Sequence, residues 1–304
     1  MKKALLAGLL LLIAAAGTVN SATAAASQTS RFTASIANVQ LPGRYYDLNQ
    51  NIGDYPPGAA LPLQSCACDI YFTVIEGEMT VTIGGKTDVY AAGKSGSIAD
   101  GIINQPINKG SAKARVFYTM LKLADGTDVW QFTPASGGTT PSTMPTFSGW
   151  STAFGLRSEV SNVTIVQNIT DWDAGFKTPL HVMNQEHVFS VLEGENTFRY
   201  RDGGVEKYVS GQKAVMTVGR VGTMENSGTA NNRMAISWVL NSSVAPFVPV
   251  DAPGAISPPN TGDAGLASES GAAFSAAESA ALIFGAAAAG LLLLAARPRR
   301  GSTR

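Results

Sequence analysis

Histidine and cysteine are almost absent: the 304 residues hold two of each. Any histidine metal site or acid–base pair is therefore confined to His181 and His187. Two cysteines are too few for a disulfide scaffold or a cysteine-rich zinc fold. Charge is scarce, at 14% of residues, and balanced, with 22 basic against 22 acidic side chains. That balance argues against nucleic acid as a partner, which calls for a basic face. There is no P-loop and no dinucleotide fingerprint. Two histidines six positions apart do not assemble a Ser/His/Asp arrangement. Away from the termini no long window has a helical period, which excludes a helical bundle.

What is present is apolar residue (45%) and glycine (32 residues), in a chain long enough for roughly two domains. The two ends stand apart from the middle. Residues 1–26 carry Lys2 and Lys3, an apolar run from Ala4 to Ala16 and an Ala22-Thr23-Ala24 cleavage pattern, the order of a secretory signal peptide. At the other end, 249–279 is a Pro/Gly/Ala stalk, 280–296 is a continuous apolar run, and 297–304 is a tail with four arginines. The apolar run sits near the lower length limit for a membrane helix, and the arginines belong on its cytoplasmic side. Within the stalk, Pro258-Pro259-Asn260-Thr261-Gly262 resembles the LPxTG sorting signal, with Pro258 in place of Leu. The resemblance implies a sortase-type transpeptidase as partner, cleaving between Thr261 and Gly262. A plain membrane anchor through the C-terminal helix is the other route. Both place the folded part on the extracellular face of the envelope, membrane- or cell-wall-anchored. Without these ends, 27–261 is about three charges negative, a solvated surface with no electrostatic reason to bind nucleic acid or anionic lipid.

The middle is a duplication. Gly58, Pro62, Phe72 and Glu76-Gly77-Glu78 return as Gly175, Pro179, Phe189 and Glu193-Gly194-Glu195 at an offset of 117. After one insertion near Arg201 the offset becomes 118, so Tyr90 and Gly93 return as Tyr208 and Gly211. Each copy reads as short strands rich in β-branched and aromatic residues, with glycine pairs such as Gly84-Gly85 and Gly203-Gly204 at hairpin turns. Many short strands with glycine turns indicate a sandwich or closed barrel. The expected division is 27–125, a linker 126–150, and 151–248.

Each copy resembles the cupin domain, a small jelly-roll barrel, and the pair resembles a bicupin. In the second copy the first cupin motif runs through Gly175, His181, Met183, His187 and Gly194, and the second through Gly211, Thr217, Gly219, Gly222 and Asn226. The resemblance implies an all-β fold of two tandem barrels. It also implies an interior site where three His and one Glu hold a divalent metal. Of that set only His181 keeps its identity. Met183, His187 and Gly222 stand at the other three positions, and in the first copy the four positions carry Gln64, Cys66, Ile70 and Asn104.

Three outcomes for a single transition metal in the C-terminal barrel follow. There is none, or two imidazoles and the Met183 thioether make a copper-like site, or Glu186 or Glu225 completes a conventional one. Cys66 and Cys68, one residue apart on a strand, are near the distance limit for a disulfide. Gln64, Cys66 and Asn104 are the expected pocket-lining set of the first barrel. Two functions remain open. One is a surface small-molecule-binding or structural module with degenerate metal sites. The other is a metal-dependent, dioxygenase-like oxidoreductase using His181, His187 and Met183.

Overall fold

The computed structural model describes residues 26–250, apart from 126–129, 139, 217 and 242–246. The expected leader, the sorting-signal-like segment and the C-terminal apolar run lie outside the described residues. Among the described residues there are twenty strands and no helix. In chain order they are β1 (Gln28–Gln40), β2 (Tyr45–Tyr55), β3 (Gln64–Cys66), β4 (Asp69–Glu76), β5 (Glu78–Ile83), β6 (Lys86–Ala91) and β7 (Ser95–Ile98). There follow β8 (Asn104–Ile107), β9 (Ala114–Leu123), β10 (Phe132–Pro134), β11 (Thr146–Arg157), β12 (Asn162–Trp172) and β13 (His181–Met183). The last are β14 (His187–Glu193), β15 (Glu195–Tyr200), β16 (Val205–Val209), β17 (Lys213–Met216), β18 (Val221–Glu225), β19 (Asn232–Leu240) and β20 (Phe247–Pro249).

These strands form four five-stranded sheets. One barrel is built from β11-β2-β9-β4-β7 and β10-β3-β8-β5-β6, the other from β1-β12-β19-β14-β17 and β16-β15-β18-β13-β20. Shifting each strand of the first half by ten positions reproduces the order of the second, so the duplication extends to the pairing. β1 and β11 are exchanged between the halves. β1 is antiparallel to β12, with Gln28 opposite Trp172, and β11 is antiparallel to β2, with Thr146 opposite Asp54. The division at 125 and 150 expected from the sequence does not follow the sheets: the N-terminal strand belongs to the second barrel's sheet, and 146–157 belongs to the first.

The local braces repeat as well. The fully buried Asn108 donates through Nδ2 to the carbonyls of Tyr55 and Ala112, both at 2.8 Å, and its Oδ1 accepts from Gly110 N. Asn226 does the same to Trp172, Ala230 and Gly228. Arg115 pairs with Asp54, and Arg233 with Asp171. Gly77 and Gly194 share a φ of 74° at the bend between hairpin strands, where a Cβ on Gly77 would stand 2.5 Å from the Lys113 carbonyl oxygen. Only glycine takes that conformation without strain.

The halves meet over a common apolar layer in which Tyr46, Leu48 and Leu121 pack with Val163, Ile165 and Val188. Two buried glutamines cross it in opposite directions. Gln50 Nε2 donates to Ser190 Oγ at 3.1 Å and to the Ala235 carbonyl at 3.0 Å. Gln167 Nε2 donates to Thr119 Oγ1 at 2.9 Å and to the Tyr71 carbonyl at 3.3 Å. The contact is self-complementary, like that of a two-fold dimer written in one chain.

Candidate functional site

The two barrels have different interiors. The first encloses a cavity of about 300 Å³ between its sheets. Phe72, Met79, Val81, Ile98 and Val116 form its walls, and Gln64, Asn51 and Asn104 supply amides. An aromatic series runs toward the mouth. Tyr118 lies 6.4 Å from Phe72 and 6.3 Å from Phe147, which lies 5.8 Å from Trp150. The Tyr118 hydroxyl is tied to that of Tyr55 at 2.7 Å, and burial raises its pKa far above the usual phenol range. Phe132, Met144 and Trp150 also line the cavity, yet are 38%, 47% and 46% exposed, which makes the lip as apolar as the interior. None of the lining residues carries a charge.

In the second barrel the equivalent positions are larger. Val81, Ile98, Val116 and Met120 line the first cavity. At the repeat offsets Phe198, Met216, Met234 and Trp238 stand in their places. Phe198, Met216 and Met234 are buried, Trp238 packs against them, and together with Met183 and Met224 they fill the interior. Methionine adapts to irregular gaps, which suits this filling role.

The sequence-derived site residues divide accordingly. Gln64 and Asn104 are direct partners across β3 and β8, and both line the first cavity. Asn104 Nδ2 donates to the Ile102 carbonyl at 3.1 Å. Cys66 is not among the lining residues. It is bonded to Cys68, with the two Cα atoms 5.1 Å apart and both side chains buried. The spacing is shorter than in a continuous strand because β3 ends at Cys66 and the chain bends at Ala67 and Cys68. The cavity residues that the sequence reading did not single out include Phe132, Met144, Phe147 and Trp150, which fall in 126–150. The signal for the hollow itself was a small-for-large substitution at matched repeat positions, Val81 against Phe198 and Met120 against Trp238; nothing in the repeat marks these four.

His181, Met183 and His187 are all buried in the second barrel. His181 Nδ1 lies 2.7 Å from the Pro179 carbonyl, which can only accept, so that nitrogen carries the proton. Burial lowers the basicity of His181. His187 is fully buried and stacked on Trp238, with ring centroids 3.9 Å apart. Neither of its ring nitrogens meets a partner at hydrogen-bonding geometry. Burial pushes its pKa down to about 3, against an opposing pull from the Gln185 backbone.

The carboxylates that could complete a metal site are engaged elsewhere. Glu225 is paired with Arg199 at 2.6 Å. Glu186 accepts from the Arg157 amide at 3.2 Å, and burial pushes its pKa up to about 7. At Gly222, where the cupin resemblance puts the third histidine, a Cβ would stand 2.7 Å from the Arg199 carbonyl oxygen. Among the described residues no group of three His, Cys, Asp or Glu side chains is placed to hold a metal ion. These residues do not fit the three-His, one-Glu metal set.

No protein-family model and no curated protein matches this chain. Among solved structures it is similar to oxalate decarboxylase from Bacillus subtilis, at 13% identity over 74% of this chain and 79% of that one, with a TM-score of 0.44. It is similar to vicilin from hazelnut, Corylus avellana, at 12% identity over 69% and 79% of the two chains, with a TM-score of 0.44. A third is a cupin 2 conserved barrel domain protein from Leptotrichia buccalis, at 12% identity over 70% and 91%, with a TM-score of 0.32. The likeness concerns the all-β barrels alone.

Proposed function

We propose that this chain is a bicupin displayed on the outer face of the cell envelope. In this reading its first barrel captures a small apolar molecule and its second is a filled structural partner. The observation that carries the reading is the uncharged cavity of about 300 Å³ with its apolar lip. An apolar cavity of that size with a few convergent amides has the character of a ligand pocket. The filled second barrel supplies the control. Val81→Phe copies Phe198 into the first barrel and should abolish binding of a neutral two-ring aromatic such as naphthalene, at one site per chain in the unaltered protein. Binding that survives Val81→Phe would place the ligand elsewhere.

The envelope location rests on the sequence of the two ends. Deleting 280–304 should release the protein into the medium, and a truncated chain that stays cell-bound would refute the anchor. Cleavage at Thr261 by a sortase-type transpeptidase is the proposed attachment.

A metal-dependent oxidoreductase in the second barrel is the other reading. One observation favours it: the two unpartnered nitrogens of the buried His187, on a barrel that also buries His181 and Met183. The engaged carboxylates and the closed space at Gly222 weigh against it. A metal lost on His181→Ala and indifferent to Gln64→Ala would restore it.

A further inference from the structure

The first cavity is hollow and apolar, but one edge of it is not. Gln64 and Asn104 sit opposite one another on β3 and β8, with relative exposures of 9% and 2%. One Nδ2 hydrogen of Asn104 goes to the Ile102 carbonyl, which leaves its second N–H and the acceptor Oδ1. Among the described residues no hydrogen bond joins the Gln64 side-chain amide to another group, and neither amide has an atom sealed away without a partner. The polar atoms left over are therefore reachable from the cavity. A nine-tenths-buried amide with its donors and acceptor unused is costly unless a ligand or water satisfies it.

We propose that this pair is a recognition edge for an uncharged, flat, two-ring heteroaromatic that carries an N–H beside a carbonyl. The proposal rests on the first barrel being the receptor. Size sets the ring number: a cavity of about 150 Å³ holds benzene, and this one is about twice that. Flatness follows from the Phe72, Tyr118, Phe147 and Trp150 series, whose faces and edges favour aromatic partners. Neutrality follows from the absence of any charged lining residue, since a buried ion would lack a counter-charge. The donor–acceptor edge follows from the amides. The Gln64 carboxamide offers an N–H and an oxygen side by side, the arrangement with which a side-chain amide grips a complementary edge in two places. The Asn104 oxygen accepts a further donor. In the second barrel His181 and Gly222 replace this pair, so the edge belongs to the first barrel alone.

The test uses isothermal titration of the full chain with three neutral probes and one anion, 2-naphthoate, each corrected by a detergent blank. Naphthalene reports on the cavity alone. 2-Quinolone carries the edge, and N-methyl-2-quinolone lacks its N–H. The unaltered protein should bind 2-quinolone about tenfold more tightly than its N-methyl derivative. Gln64→Leu should shrink that ratio to about twofold and leave naphthalene binding intact, which also shows that the variant is folded. If naphthalene binds but the two quinolones bind alike, the recognition edge is overturned and the receptor stands. If none of the three binds, the receptor reading falls and takes the edge with it. Should 2-naphthoate bind as tightly as 2-quinolone, the neutral class is wrong.

Discussion

Asn108→Ala removes one side chain and three hydrogen bonds at once. Nδ2 gives two of them, to the carbonyls of Tyr55 and Ala112 at 2.8 Å, and Oδ1 accepts the third from Gly110 N at 2.9 Å. The side chain is fully buried, so no bulk water replaces it. A net contribution of about 1 kcal/mol per bond gives a loss of roughly 3 kcal/mol, larger if the stranded carbonyls stay dry. Against a typical total of about 5–15 kcal/mol that is a severe change. Urea unfolding followed by far-UV circular dichroism should show the midpoint falling with an unchanged slope. Asn226→Ala should cost the same within experimental scatter, because it loses the same three bonds, to Trp172, Ala230 and Gly228. A loss below about 1 kcal/mol in either variant would refute the view that these asparagines hold the bend between the hairpin and the last strand. So would a large difference between them.

His187→Phe should be neutral or stabilising by about 1 kcal/mol, because a flat ring only one atom larger removes two buried nitrogens without partners and can keep the stack on Trp238. Marked destabilisation in the same urea assay would mean that those nitrogens are satisfied in solution, by a metal or otherwise. Glu186 and His187 act on acid stability with opposite signs. Glu186, raised from 4.5 to about 7, stabilises the fold fully below pH 4.5 and loses that contribution as pH rises through 7. His187, depressed from 6.5 to about 3, contributes above 6.5 and is lost as pH falls toward 3. Glu186→Gln should therefore steepen the loss of stability on acidification from about pH 6.5 to 4.5, and superimposable pH profiles would count against the buried carboxyl.

Much of the architecture was legible because a duplication writes the same constraint twice. The Glu-Gly bend and the asparagine near the end of each copy recur at fixed offsets, and each does the same work in both barrels. The exchange of β1 and β11 left no such mark. Both strands fit a barrel edge by pattern, and pattern carries no information about which of two equivalent edges a strand joins. The cavity was only half legible. Residue types at the degenerate ligand positions drew attention to Gln64 and Asn104, whereas the hollow itself arises from size differences spread over four other positions. Cys66 and Cys68 looked near the distance limit because the expected geometry was that of an unbroken strand, and the bend at Ala67 removes that assumption.

The exchanged strand sets an order on folding. β1 is the first strand synthesised, yet its partners in β12 are made some 140 residues later, as the Arg31–Asp171 contact shows. The first barrel can close with β11 once residue 157 has emerged, while thirteen residues of β1 wait without an edge to join. Closing so long a loop carries a large entropic cost, and non-local pairing of this kind slows folding. During that interval an unpaired strand is open to pairing with another nascent chain. A chain released before residue 172 would hold a finished barrel and a loose strand, which makes it a candidate for reciprocal swapping between two molecules.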